Sequence, residues 1–417
     1  FGSGEGPRFS DGFFTVNNDG TPVLGVAWNN FGPRMDGTTV IGFNGQPRSY
    51  SPQPNNISDF YRTGYSYINN VSFSGANEEG SSTYRVSFTS RKRKGIIENN
   101  KSDKYTFNFR GTQKITDYLN ADVSLSYNRS EGQGRPLIGN GPLLNRYAGF
   151  IPRDLPFDTY RDNYKQEDGS RTGACPWCYS NSFWEVLENN NNDQSDRIIG
   201  TIDLNLTITD WLNLKLKSST DGLERFFESS TSGSLVGGTG PDASYTTNQT
   251  VSRQFTYEFL LSANRQLSND LDFSLNFGGQ SWESNFRSVA ASTRNGLRTP
   301  GFFAIDNSNL DPLGATTFLN RKINSLYSFG QLGYKNYLFL DLTGRMDWSS
   351  TLPIDNNSYF YPSASLSFAF SDALHLNSPV FTFGKLRASL AQVGNDAQQP
   401  YLLNSIYNST GTYGNFP

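Results

Sequence analysis

Segments of alternating apolar and polar residues recur along this chain, and the connections between them are short, then long, then short again. Successive side chains of a strand point to opposite sides, so each segment describes a strand with two chemically different faces. The clearest rows set Ile202, Leu204, Leu206 and Ile208 against Thr201, Asp203, Asn205 and Thr207, and Leu212, Leu214 and Leu216 against Asn213, Lys215 and Lys217. Tyr65, Tyr67, Val71 and Phe73 form an earlier row, and Phe255, Tyr257, Phe259 and Leu261 meet Leu271, Phe273, Leu275 and Phe277 across a turn at Asn269 and Asp270. Leu338, Leu340 and Leu342, then Ala364, Leu366 and Phe368, then Leu386, Ala388 and Leu390 complete a set of about 12 strands by period-2 matching.

The connections sort by parity. Short ones fall near 74–83, 112–120, 209–211, 265–270, 335–336 and 371–383, and longer ones near 91–104, 129–196, 221–254, 280–324 and 348–358. A sandwich or a soluble barrel has no reason to gather its long loops at one end. A transmembrane antiparallel up-and-down β-barrel does, with short periplasmic turns and long extracellular loops. The fold expected is therefore all-β, a partial barrel of the cell outer membrane, with residues 1–60 an irregular region leading in and 61–417 the barrel segment.

A mean hydropathy of −0.56 and the lack of any apolar run near ~18 residues exclude a helical membrane span. Forty glycines, 14% aromatic residues and abundant Asn, Ser and Thr favour strands and turns. A charge facing the middle of a bilayer costs ~2–4 kcal/mol, so Asp203, Lys215 and Lys217 must line the lumen and the apolar rows must face lipid. Tyr118, Trp211, Tyr334 and Tyr337 place rings at the short-turn rim, and Tyr127, Trp282, Trp348 and Tyr359 are expected to do so at the opposite rim. The hexamer ITDYLN at 115–120 recurs as ITDWLN at 208–213 and more loosely as LSNDLD at 267–272, each time at a short turn.

Net charge of −3 and a pI near 5.4 argue against a nucleic-acid partner. A lone histidine, His375, rules out a zinc site of the usual kind and a serine-histidine-acid arrangement built elsewhere. Neither catalysis, a metal nor a cofactor is expected. Asp306, Asn309 and Asp311 have spacing foreign to an EF-hand and read as turn chemistry. Cys175 and Cys178 enclose Pro176 and Trp177 within the longest loop, where a local disulfide is the first reading and free thiols the second.

Several segments, in order, resemble the SusC/RagA family of TonB-dependent outer-membrane transporters of Bacteroidetes. They are WNNFGPRMDG at 28–37, YSPQPNN at 50–56, DFYRTG at 59–64, VSFSGAN at 71–77, KGII at 94–97, LTGRMDWSS at 342–350, YPSAS at 361–365 and LRASLAQVGN at 386–395. The resemblance implies nutrient uptake, with a SusD-like lipoprotein delivering an oligosaccharide or peptide and TonB displacing a plug. It also implies that the plug, the TonB-contacting segment and the last strands lie outside this chain. Rival readings are a siderophore or vitamin receptor and an outer-membrane scaffold or secretion component with the same barrel.

Two groups of residues are candidates for contact. Trp177, Tyr179, Trp184 and Trp282 could stack on a glycan or peptide ligand or bury against a partner, with packing inside the loop as the competing explanation. Arg91, Lys92, Arg93 and Lys94 form the densest charge run, placed at the outer rim within reach of lipopolysaccharide phosphates, with a solvated loop as the alternative.

Overall fold

The computed structural model describes residues 35–41, 46–135, 153–172, 181–376, 382–397 and 399–404, with the backbone of two further short strands, β1 (Phe14–Val16) and β2 (Pro22–Leu24). These pair with β3 (Thr39–Ile41) and β4 (Pro47–Ser49) in a small sheet, so the region read as irregular carries short strands. Twelve long strands make a second sheet in which every strand pairs antiparallel with its sequence neighbour. They are β5 (Tyr65–Ala76), β6 (Ser82–Lys94), β7 (Lys101–Lys114), β8 (Leu119–Gln133), β9 (Asn190–Thr209) and β10 (Leu212–Thr231), followed by β11 (Ser244–Ser268), β12 (Leu271–Leu297), β13 (Ser308–Tyr334), β14 (Leu338–Ser349), β15 (Ser358–Phe368) and β16 (Leu386–Ala391). That is the up-and-down order expected of a partial barrel.

Register builds the two faces. Val71 and Phe73 lie opposite Phe88 and Val86, these opposite Phe107 and Phe109, and these opposite Tyr127 and Leu125. The row runs on through Leu204, Leu216 and Phe259, through Leu261 and Phe277, and through Leu332, Leu340 and Leu366. It is an apolar belt, interrupted by Ser328 and Gly330 opposite Phe277 and Leu275, and much of it is exposed in the isolated chain: Phe73 is 68% accessible and Leu390 80%. Such a surface is stable in lipid and a liability in water. The alternate face is polar and ion-paired. Lys215 Nζ lies 3.2 Å from Asp203, Arg110 2.9 Å from Asp122, and Arg197 holds Asp221 through two contacts of 2.8 and 2.5 Å.

Turn chemistry closes the short rim. The connections at 115–118, 210–211, 269–270 and 335–337 are brief, and Lys335 and Asn336 both take positive φ, the primed-turn geometry that suits the twist of a hairpin. Tyr118 and Trp211 stand exposed there, and Tyr334 packs edge-on to Tyr337 at 5.8 Å. One connection at this rim departs from the pattern: 369–385 is longer and holds a one-turn helix, α3 (Phe370–Ala373), whose buried Ser371 accepts from the Gly384 amide.

At the other rim the structure corrects the expected loop lengths. Segments 221–254 and 280–324 are mainly strand, leaving connections only at 232–243 and 298–307. Strands of 25 and 27 residues far exceed the roughly 9–11 needed to cross a bilayer. Above the membrane both faces meet water, so alternation fades while the backbone ladder continues.

The connection 134–189 stays long, and its described part packs into a small module. Helix α1 (Phe157–Asp162) and helix α2 (Ser182–Leu187) gather Leu155, Phe183 and Val186 around Phe60 and Ile97. Asn181 caps α2 by accepting from the Phe183 amide at 2.9 Å, while its own amide donates to the Tyr160 carbonyl at 2.8 Å. Arg153 reaches back to Asn56 at 2.6 Å and to the Pro54 carbonyl at 2.8 Å, which staples the module to the segment ahead of β5.

Candidate functional site

The polar face becomes most elaborate on β12 to β15, above the middle of the belt. Parity puts Gln280 and Trp282 of β12, Arg321, Ser325 and Tyr327 of β13, Arg345 and Asp347 of β14, and Tyr359 and Tyr361 of β15 on the same side as Asn276 and Asp341. Arg345 is the hub. Its Nε donates to Asp347 at 2.8 Å, and its Nη2 donates to Ser325 at 2.8 Å and to Gln280 at 3.3 Å. The guanidinium also lies 5.5 Å from the centre of the Tyr327 ring, within cation–π range.

A second arginine sits next to it. Arg321 lies 5.5 Å from the Trp282 ring centre and pairs with Asp396, which is nearly inaccessible and also accepts from Ser349 and from Thr351 at 3.1 Å. Asp396 follows β16, so this contact ties the chain beyond the last strand to the wall at β13 and β14. Gly278 makes room for the cluster: a Cβ there would meet the Tyr327 ring at 2.5 Å, so the ring lies flat over bare backbone. Tyr359 and Tyr361 add an edge-on pair at 5.0 Å.

Chemically, this wall offers donors, acceptors and aromatic faces without a reactive group. Among the described residues no three His, Cys, Asp or Glu side chains lie close enough to hold a metal. Asn309 and Asp311 lie on β13, and Asp306 in a short 3-10 turn. His375 is exposed in the 369–385 connection. Fixed dipoles and rings spread along one sheet face suit weak contact with a polar solute at several points rather than one tight site.

The expected contact residues fall out differently. Trp184 is not available for stacking: it is 2% accessible, buried in the loop module beside Tyr164, with Lys165 5.8 Å above its ring. It is a packing residue, since an apolar ring in a short helix over a loop is what such a loop needs for a core. Trp282 is a strand residue rather than a loop or rim residue, and it faces the lumen. Tyr359 does the same, whereas Tyr127 and Trp348 share the lipid-facing parity. Counting by twos from Phe277 and from Phe368 would have revealed this. The arginines of the cluster were missed because the charge of one strand's inward face looks like any other. Trp177, Tyr179, Cys175 and Cys178 lie outside the described residues. Arg91 to Lys94 belong to β6 itself rather than to a loop.

Outside this chain, the same architecture occurs in solved transporters. The RagAB peptide transporter superposes with a TM-score of 0.67 at 14% identity, over 87% of this chain and 41% of that one. The RagAB peptide importer gives 0.65 at 15% identity in its closed-closed state and 0.63 at 15% in its open-open state. No family model matches the chain, and no curated protein sequence does. The chain spans about two fifths of the length of the solved structures it resembles. The fold is thus the antiparallel β-barrel architecture seen in the RagAB structures, the all-β class that the alternating segments led us to expect.

Proposed function

We propose that this chain is the barrel portion of a TonB-dependent importer of the outer membrane that takes up an oligosaccharide or peptide with a SusD-like surface lipoprotein. The observation that carries this reading is the pairing of a lipid-compatible outer belt with an inner wall of arginines and rings on a RagA-like barrel. In this reading Trp282, Tyr327, Tyr359 and Tyr361 supply faces for sugar rings or peptide side chains, and Arg345 supplies charge-assisted donors. The wall binds each cargo group modestly, so passage is not arrested, and TonB acting on a plug supplies directionality.

The test is growth or uptake by cells expressing the full-length protein with the lipoprotein encoded beside it. Uptake of the cognate glycan or peptide should require both proteins and TonB. Replacing Trp282 and Arg345 together by Ala should lower uptake several-fold without changing barrel heat-modifiability. Uptake that persists without TonB, or lipoprotein that never co-purifies with the transporter, would dismiss this reading.

A further inference from the structure

The pleat of β6 divides the basic run. Lys92 and Lys94 share the face of Phe88 and Val86, the lipid-facing side, whereas Arg91 and Arg93 share the lumen-facing side. Lys94 stands directly opposite Lys101 of β7 on that outward face. Like charges in directly opposed positions repel, and a barrel has no structural need to place them so. Asp103 lies opposite Lys92, yet no ion pair joins any of the three lysines to a carboxylate among the described residues. All three are exposed. The neighbouring outward cation, Arg129, differs in being neutralised by Glu131 at 2.8 Å and Asp196 at 3.6 Å.

The surroundings identify the depth. Directly below come Tyr105, then Phe88 and Phe107, the top of the apolar belt, with Phe88 stacked on Tyr105 at 6.4 Å. Tyr65 and Tyr67 pair across from Lys94 and Lys92, and Lys94 Nζ lies 5.6 Å from the Tyr65 ring centre. Exposed tyrosines mark the level where acyl chains give way to headgroups. At that level the bilayer presents phosphate. Lysines with long apolar stems can extend over the tyrosines and set their ammonium groups there.

We propose that Lys92, Lys94 and Lys101, framed by Tyr65 and Tyr67, form a binding site for the phosphate-bearing headgroup of an outer-leaflet glycolipid. The occupant supplies the counter-charge that the Lys94–Lys101 opposition lacks. Arg91 and Arg93, on the opposite face of the same strand, take no part. The site rests on the outward orientation of the belt but not on the identity of the cargo.

The opposite faces supply an internal control. The full-length protein is reconstituted into nanodiscs of phosphatidylethanolamine alone or with bisphosphorylated lipid A, monophosphorylated lipid A or phosphatidylglycerol, and retained lipid is counted by native mass spectrometry. Lys92→Gln with Lys94→Gln and Lys101→Gln should lower lipid A retention at least about tenfold, a loss of roughly one headgroup attraction per lysine. Arg91→Gln with Arg93→Gln should leave it unchanged. Retention should fall with each phosphate removed, and phosphatidylglycerol should compete poorly. Equal losses from the two variants, unchanged retention in the lysine variant, or retention indifferent to phosphate number would each overturn the assignment. Uptake of cargo, measured in parallel, separates failure of this site from failure of the transport reading.

Discussion

Placing an arginine at Leu204 measures the orientation of the whole sheet. Leu204 lies opposite Leu216 and Ala121 on the outward face, while Thr201, three residues away, lies opposite Ser219 and Ser124 on the inward face. Leu204 is six positions from Asp210 at the short turn, about 20 Å of strand, which a tilt of ~35–45° converts to about 14–17 Å of depth. An apolar band about 25 Å tall puts that near the midplane. There an outward arginine costs about 2–4 kcal/mol, or roughly 30- to 900-fold in the folding equilibrium. Thr201→Arg should cost close to nothing, because its guanidinium enters water and faces Asp203 two positions along. Guanidinium-driven unfolding from lipid vesicles, followed by tryptophan fluorescence of the full-length protein, reports both values. Equal costs, or a larger cost at 201, would refute the inside-out assignment.

Other consequences are as specific. Phe183→Ala should open the loop module, at a cost of about 3–5 kcal/mol for a ring packed on Phe60, Phe157 and Tyr160, and limited proteolysis should then nick 134–189 while the barrel stays resistant. Gly278→Leu should displace the Tyr327 ring and cost about 1–3 kcal/mol, detectable as a lowered unfolding midpoint and weaker cargo binding. The module should also respond to pH. Burial, outweighing the adjacent Arg48 guanidinium 2.5 Å away, holds the Asp154 carboxyl above the usual aspartate value. Its contribution is therefore complete below the unfolded pKa and lost as pH rises through the higher folded one, so protease resistance should fall across that window and Asp154→Asn should flatten the change. Tyr50, pushed up to about 12 by burial first and Asp154 second, should add an alkaline loss above its ordinary value of 10.0 that Tyr50→Phe abolishes.

Alternation in the chain determined the strand count, the up-and-down order and which face meets lipid, because these follow from the fixed two-residue period and the cost of charge in hydrocarbon. Leu204 with Leu216, and Asp203 with Lys215, could be assigned to opposite faces before any coordinates. Strand length was hidden, since the upper halves of β10 to β13 are wet on both sides and carry no period. The fate of individual rings was hidden too. Trp184 and Trp282 look alike in a sequence, yet one fills the core of a loop module and the other stacks over Arg321 on the lumen wall. Only the tertiary structure could join Arg345 to Gln280 across an intervening strand, or bring Asp396 back to Arg321 and Ser349. Such pairings depend on which strands become neighbours and in what register, information spread over the entire sheet rather than written in any local stretch.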